Sequence, residues 1–312
     1  MPNQSRTMQL PLKGIIPPLV TPLAARDQLD AAGFENLIEH VLRGGCSGLF
    51  VLGSTGEAPA LSYALRLEVI RRACQIAAGR VPVLVGITDT ALDESVRLGN
   101  AAADAGAAAV VAAAPYYFRL SQADLLRHAE LLTREIALPL FLYNIPELTK
   151  LNYEPETVLA AADIPGVIGF KDSSGDLIHL QRVLRLLSSR PDFTVLIGPE
   201  ELLAQAVLLG AHGGISGGSN AWPELYVGLC RDALDGRIER MRPRQKRIIE
   251  ISERIYRMND DPTSYIRGLK CALGVLGICS DLPAAPLAPI SAPERAAVRA
   301  HLDAIDAVAA TA

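Results

Sequence analysis

The sequence predicts a closed (β/α)8 barrel with a C-terminal helical extension. Short β-rich runs alternate with amphipathic helical stretches at intervals of roughly 20 to 35 residues, the pattern of βα units on a parallel sheet. Eight such units fall within about 220 residues, which suits a closed barrel better than an open doubly wound sheet. An open nucleotide-binding sheet would usually carry a glycine fingerprint after its first strand. Here the first strand leads into Thr21-Pro22 with no GxGxxG.

The candidate strands are Gly14 to Val20, Gly48 to Leu52, Pro82 to Ile87, Ala109 to Ala113, Pro139 to Tyr143, Val167 to Lys171, Thr194 to Gly198 and Gly213 to Ser216. Between the first two, Phe34, Leu37, Ile38, Val41 and Leu42 share one helical face, and Gly44-Gly45 stops the helix. Leu125, Ala129, Leu132 and Ile136 repeat that pattern, opened by Ser121 and Asp124 at capping-box spacing. From Trp222 onward no strand-like run remains. Arg237 to Met258, Ser264 to Leu276 and Pro293 to Val308 read as helices, the last two separated by Pro283, Pro286 and Pro289. The barrel with its active site is assigned to residues 1–221. Residues 222–312 hold the last barrel helix and the extension.

Composition narrows the function. The net charge of the 312-residue chain is −4, and the basic stretch from Arg237 to Arg247 is interrupted by Glu239, Met241 and Pro243, as on a solvated helix face. Nucleic acid is not an expected partner. Cys46, Cys74, Cys230, Cys271 and Cys279 contain no CxxC pair and read as small buried hydrophobes in a reducing compartment. The first residues lack an apolar signal-peptide core, and the apolar run Ala105 to Ala114 is too short to span a bilayer. A cytoplasmic protein with no membrane partner is expected.

In a barrel of this kind the active site forms at the C-terminal ends of the strands. The second strand runs into Gly53-Ser54-Thr55-Gly56-Glu57, a tight turn presenting N–H groups and two hydroxyls, suited to a small carboxylate. The fourth ends in Pro115-Tyr116-Tyr117 and the fifth in Tyr143-Asn144-Ile145-Pro146. The sixth ends in Lys171, after the apolar run Val167-Ile168-Gly169-Phe170. An amine there is poorly solvated, its neutral form becomes accessible, and it can form a Schiff base with a ketone. Each feature has a plainer reading. The glycines could serve the turn alone, the tyrosines could be packing residues, Pro146 could only break the strand, and Lys171 could simply pair with Asp172 or Glu57. His40, His128, His179, His212 and His301 show no HxH or HExxH spacing, so no metal is expected. The segment Gly213 to Asn220 stands where many barrels bind phosphate, but it contains no Lys or Arg, and its glycines suit close backbone approach to a keto acid.

Taken together, GSTGE, PYY, YNIP and GFKDSSGD occur in an order and spacing that resembles the dihydrodipicolinate synthase and N-acetylneuraminate lyase superfamily of class I aldolases. The resemblance runs from Thr21-Pro22 to Arg267-Gly268-Leu269-Lys270. It implies that Lys171 attacks the C2 ketone of pyruvate or another 2-keto acid, with no cofactor beyond the covalent imine. It implies that Ser54 and Thr55 hold the carboxylate, that Tyr143 shuttles protons, and that Thr55 links Tyr143 to Tyr117. Tyr117 would be donated across a subunit interface of a homotetramer or homodimer. Backbone groups at Gly198 and Ile215 would line the pocket, and Ser173 and Glu200 could accept hydrogen bonds from a hydroxylated aldehyde.

The chain departs from each subgroup of that superfamily. Dihydrodipicolinate synthases usually carry an arginine two residues after the YNxP proline to bind the carboxylate of aspartate semialdehyde, and here that position is Leu148, which cannot make the contact. Sialate lyases resemble the chain better at YNIP-x-Leu and Arg-Gly-Leu-Lys, yet Gly217 replaces a sugar-contacting serine and Lys150 a glycine. The expected activity is a pyruvate-dependent aldolase or lyase acting on a 2-keto-3-deoxy sugar acid or related 2-keto acid. The alternatives are dihydrodipicolinate synthase activity with Arg119 supplying the missing contact, a Schiff-base dehydratase, and a non-catalytic keto-acid-binding regulator.

Overall fold

The computed structural model describes residues 8–257 and 261–309. The eight expected strands form one parallel sheet: β1 Gly14–Ile15, β2 Leu49–Val51, β3 Val83–Gly86, β4 Ala109–Ala113, β5 Leu140–Asn144, β6 Val167–Asp172, β7 Thr194–Ile197 and β8 Gly213–Gly214. Each strand pairs with its sequence neighbour from β2 to β8, and β8 pairs with β1. The ring closes where Pro18 bridges Phe50: the Leu19 N–H donates to the Phe50 carbonyl at 2.8 Å, and the Phe50 N–H to that of Pro17 at 2.9 Å. The result is the (β/α)8 barrel.

β1 stops well short of Val20 because Pro17 and Pro18 have no N–H to offer a ladder. A side chain takes over. Asn220 Oδ1 accepts from the Val20 N–H at 3.1 Å, and its Nδ2 donates to the carbonyls of Pro18 (2.9 Å) and Gly217 (2.8 Å). β8 is likewise shorter than Gly213 to Ser216, although the Ile215 N–H still reaches the Ile197 carbonyl at 2.8 Å. One feature was not expected: a small antiparallel pair, Leu23–Ala25 with Gln28–Leu29, turned by Arg26 and a left-handed Asp27 at φ 56°.

The helices α1 Ala31–Arg43, α2 Tyr63–Ala77, α3 Leu92–Asp104, α4 Gln122–Glu135, α5 Pro155–Ala162, α6 Leu177–Leu186, α7 Leu203–Leu208 and α8 Pro223–Leu234 follow the strands in turn. Phe34, Leu37, Ile38 and Val41 of α1 are buried, and the capping box at Ser121 and Asp124 opens α4. Beyond the barrel come α9 Ile238–Ile251, a π-helical turn Ser252–Tyr256, α10 Ser264–Val275 and α11 Ala292–Ala309. The expected end of the first of these, Met258, lies outside the described residues. All five cysteines are free, and among the described residues no helix is long and apolar enough to cross a membrane.

Apolar side chains fill two shells. One lies between sheet and helices; the other, with Ile16, Phe50, Leu84, Val111, Phe141 and Leu196, fills the inside of the ring. Strand register stacks the inner residues in levels. Ala113, Tyr143, Lys171 and Leu196 are paired across four adjacent strands, and two residues earlier Val111, Phe141, Gly169 and Thr194 form the level below. Gly169 is required there: a methyl group would run into the Phe141 ring and stand 2.8 Å from the Thr194 carbonyl oxygen. Gly169→Ala is therefore expected to destabilise the protein by about 1–3 kcal/mol through overpacking, read as a lower urea midpoint at unchanged slope.

Candidate active site

Lys171 lies two residues from the Phe141 and Gly169 level, at the mouth of the ring, with 4% of its surface exposed. Its Nζ sits 3.8 Å from the centre of the Tyr143 ring and 5.0 Å from that of Phe50. Neither carboxylate near it in the sequence pairs with it. Asp172 points to the other face of β6, as strand alternation requires. There its Oδ1 accepts from Asn144 Nδ2 at 3.0 Å and the Ser174 N–H at 2.9 Å, and its Oδ2 lies 3.2 Å from His179 Nδ1. Burial works against a charged His179, but the bonds to Asp172 and to the Tyr153 carbonyl outweigh it and raise its pKa.

Glu57 is engaged elsewhere. Its Oε2 pairs with the ammonium of Lys270, a fully buried residue of α10 that also donates to the Thr21 carbonyl at 2.9 Å. Its Oε1 accepts from the Ala284 N–H at 2.7 Å. Lys171 is left among rings and aliphatic groups, with no anion paired to it among the described residues. Burial lowers its pKa below the ordinary lysine value, and the Tyr143 hydroxyl only partly opposes this. The neutral nucleophilic amine is thereby brought within reach.

The turn after β2 is bracketed by two non-glycine residues in the left-handed region, Leu52 at φ 58° and Glu57 at φ 55°. Such conformations cost energy and persist where surrounding contacts impose them. Here the Lys270 and Ala284 bonds anchor Glu57, and Thr21 Oγ1 donates to the Gly56 carbonyl at 2.8 Å. The hydrogen bonds inside the turn use the N–H groups of Gly56, Glu57 and Ala58. Among the described residues those of Ser54 and Thr55 have no acceptor, and unpaired N–H groups of a tight turn suit an anion. The Thr55 hydroxyl lies 3.3 Å from that of Tyr265, at the start of α10.

The other residues singled out in the sequence are dispersed around the strand ends and the loops beyond them. Tyr143 is buried beside Lys171, and Ile215 belongs to the same inner shell. Ser173 and Gly198 touch: the Ser173 hydroxyl occupies the space a side chain at 198 would need, and the Gly198 N–H donates to the Asp172 carbonyl at 2.7 Å. Glu200 is buried with both oxygens occupied, one by the Gly218 N–H at 2.8 Å and the other by the Tyr226 hydroxyl. Burial pushes its pKa up to about 7. Tyr117 is not gathered to Lys171 within the chain. It is 78% exposed on the loop after β4 and meets Phe118 edge-on, 5.2 Å between ring centres. Leu148 is exposed on a short helix, Pro146–Thr149. The sequence offered Lys270 only as part of the Arg267 to Lys270 motif, with no role, and Tyr265 was passed over. The signal for Lys270 was a lysine at helical spacing inside an apolar stretch, where an ammonium demands a partner.

Residues 11–305 match the dihydrodipicolinate synthetase family. The chain belongs to that family. It is 35% identical over 300 residues to the 4-hydroxy-tetrahydrodipicolinate synthase of Salinibacter ruber, covering 96% of this chain and 98% of the relative. It is 33% identical to a putative 2-dehydro-3-deoxy-D-gluconate aldolase, YagE, of Escherichia coli, covering 93% and 95%. Among solved structures, a dihydrodipicolinate synthase of Bacteroides thetaiotaomicron superposes with a TM-score of 0.93 at 51% identity, covering 95% of this chain and all of that one. YagE in complex with pyruvate gives 0.89 at 33%, covering 94% and 98%. Like the rest of the family, the chain is a lyase of the class I aldolase type.

Two outcomes follow from the buried charges. Lys270→Ala leaves Glu57 buried without its cation and is expected to cost about 3–5 kcal/mol, seen as a lowered melting temperature. Glu200 has a folded pKa raised from 4.5 to about 7, so its contribution is full below the unfolded value and is lost as pH rises through the folded one. Glu200→Gln keeps the uncharged form at every pH. Its melting temperature relative to the unaltered protein is expected to rise between about pH 5 and about pH 8, and a constant difference would refute the assignment.

Proposed function

We propose that this protein is a Schiff-base aldolase in which Lys171 attacks the C2 ketone of pyruvate, or of a longer 2-keto acid, and that it cleaves or forms a 2-keto-3-deoxy sugar acid. The observation that carries this reading is that no carboxylate among the described residues pairs with Lys171: Asp172 is held by Asn144, Ser174 and His179, and Glu57 by Lys270. A lysine serving only to neutralise a neighbour would sit against one of them.

In the proposed reaction the neutral amine adds to C2, the carbonyl oxygen leaves as water, and an iminium forms. The iminium accepts the electron pair of the C3–C4 bond as the C4 hydroxyl loses its proton, releasing an aldehyde and leaving an enamine. Protonation at C3 and hydrolysis return pyruvate and free Lys171. No step draws on a metal or a separate cofactor. Tyr143, in contact with the amine, carries protons to and from the departing oxygens. The free N–H groups of Ser54 and Thr55 hold the keto-acid carboxylate. Gly198 and Ile215 border the substrate, and Ser173, over Gly198, faces the aldehyde portion. Glu200 acts through the Gly218 backbone, since both its oxygens are occupied. The exposed Tyr117 serves the site of a second subunit in a dimer or tetramer, where its ring is covered.

A second reading, 4-hydroxy-tetrahydrodipicolinate synthase activity, is favoured by the names of several relatives. Its difficulty is the second substrate's carboxylate, because Leu148 offers no cation and the residue expected to supply one instead, Arg119, stands on the exposed loop of Tyr117. Borohydride trapping with pyruvate, followed by peptide mapping, tests the common step. A reduced adduct on Lys171, lost in Lys171→Ala together with turnover, is expected; turnover by Lys171→Ala at the unaltered rate would end the imine mechanism. Rates with 2-keto-3-deoxygluconate against pyruvate plus aspartate semialdehyde then separate the two readings, the first being expected to exceed the second by at least about tenfold, which is a difference of about 1.4 kcal/mol in barrier.

A further inference from the structure

We propose that Tyr265 is a positioning residue for keto-acid recognition: its phenol donates to the Thr55 hydroxyl and so turns the Thr55 proton toward the bound carboxylate. This inference rests on the imine reading above and extends it to a residue of the C-terminal helices, outside the barrel strands.

Three independent observations place Tyr265 in that role. Its hydroxyl is 3.3 Å from Thr55 Oγ1, on the turn whose Ser54 and Thr55 N–H groups have no acceptor among the described residues. Its approach depends on Gly217, at the end of the β8 loop, where any side chain would overlap the Tyr265 hydroxyl. Its ring is held by Tyr256, which meets it edge-on with 5.0 Å between centres. Next to these, a side chain at Gly218 would overlap the Tyr226 hydroxyl and stand 2.6 Å from that of Tyr256. The two glycines thus admit three phenols from the C-terminal helices to the end of β8, and only that of Tyr265 reaches a turn residue.

The surroundings leave Tyr265 able to donate this bond. Tyr265 is buried, burial raises its pKa far above the ordinary tyrosine range, and Glu200 nearby opposes a phenolate further. It therefore keeps its proton and has one to give. A hydroxyl that accepts such a bond still has its own proton to donate. Thr55 then presents an N–H and an O–H, Ser54 adds an N–H, and the cradle consists of donors. That composition favours a carboxylate over a neutral amide or ester, which offers one accepting oxygen fewer and no charge.

The test is the half-saturating concentration for imine formation, measured by borohydride trapping and mass spectrometry, for pyruvate and for its neutral analogue pyruvamide. In Tyr265→Phe the Thr55 hydroxyl becomes a free rotor. Half-saturation with pyruvate is expected to rise about tenfold, as for loss of one hydrogen bond to a charged group, while pyruvamide changes less than about twofold and the adduct yield at saturation is kept. Gly217→Ala, which displaces the phenol without removing it, should move the ratio of the two ketones the same way. An unchanged pyruvate half-saturation in Tyr265→Phe, or equal losses for both ketones, would overturn the proposal by showing a packing role alone. Failure of the unaltered protein to yield any Lys171 adduct would instead overturn the imine reading, and the positioning role with it.

Discussion

The site depends on how four buried charged groups around the strand ends are shared out. Two lysines and two carboxylates stand close in the fold or the sequence, and a buried cation left alone costs several kcal/mol unless it gives up its proton. Lys270 takes Glu57, and Asp172 is satisfied by an amide, a backbone N–H and an imidazole. Lys171 is the remainder, and its charge is the one the structure does not compensate. The Glu57 pair is more than a stabilising contact, since it holds the left-handed end of the turn that carries Ser54 and Thr55. One ion pair therefore fixes the cradle and denies Lys171 a counter-ion.

Strand register converts that electrostatic arrangement into geometry. Because successive residues of a strand face opposite sides, Lys171 enters the ring while Asp172 enters the layer of helices, although they are adjacent in sequence. Parallel pairing with β5 then sets Tyr143 beside Lys171 and Asn144 beside Asp172. The same register sets a phenol ring against the amine on one face and a clamp for the carboxylate on the other. The inner level beneath is closed by Phe141 over Gly169, which leaves the amine a firm floor.

The fold was legible because alternation of strand and helix is written in local sequence. Strand limits were less so: the prolines at 17 and 18 shortened β1, and Gly213-Gly214 carried only a two-residue β8. The hairpin at Leu23 to Leu29 was missed because two- and three-residue strands leave no period to read. The strand-end residues Lys171 and Tyr143 were legible as polar groups terminating apolar runs. What could not be read were partners far along the chain. Lys270 finds Glu57 across 213 positions, and Tyr265 finds Thr55 across 210. Glu200, which looked available to a substrate, is occupied by Gly218 and Tyr226, a choice made by helix packing that no local pattern reveals.

The proline-bearing seam between β1 and β2 also governs when the barrel can come into being. Few ladder bonds join those strands, and the first strand is fastened by the side chain of Asn220, some 200 positions away, and by Lys270 at the Thr21 carbonyl, 249 positions away. Contacts of such long separation form late, because the chain between them must first be confined. During synthesis the early strands can assemble only as an open sheet with a wet edge. The Lys270 bonds come later still, once that segment has left the ribosome, so the contact that fastens the end of the first strand is also the one that takes Glu57 out of circulation.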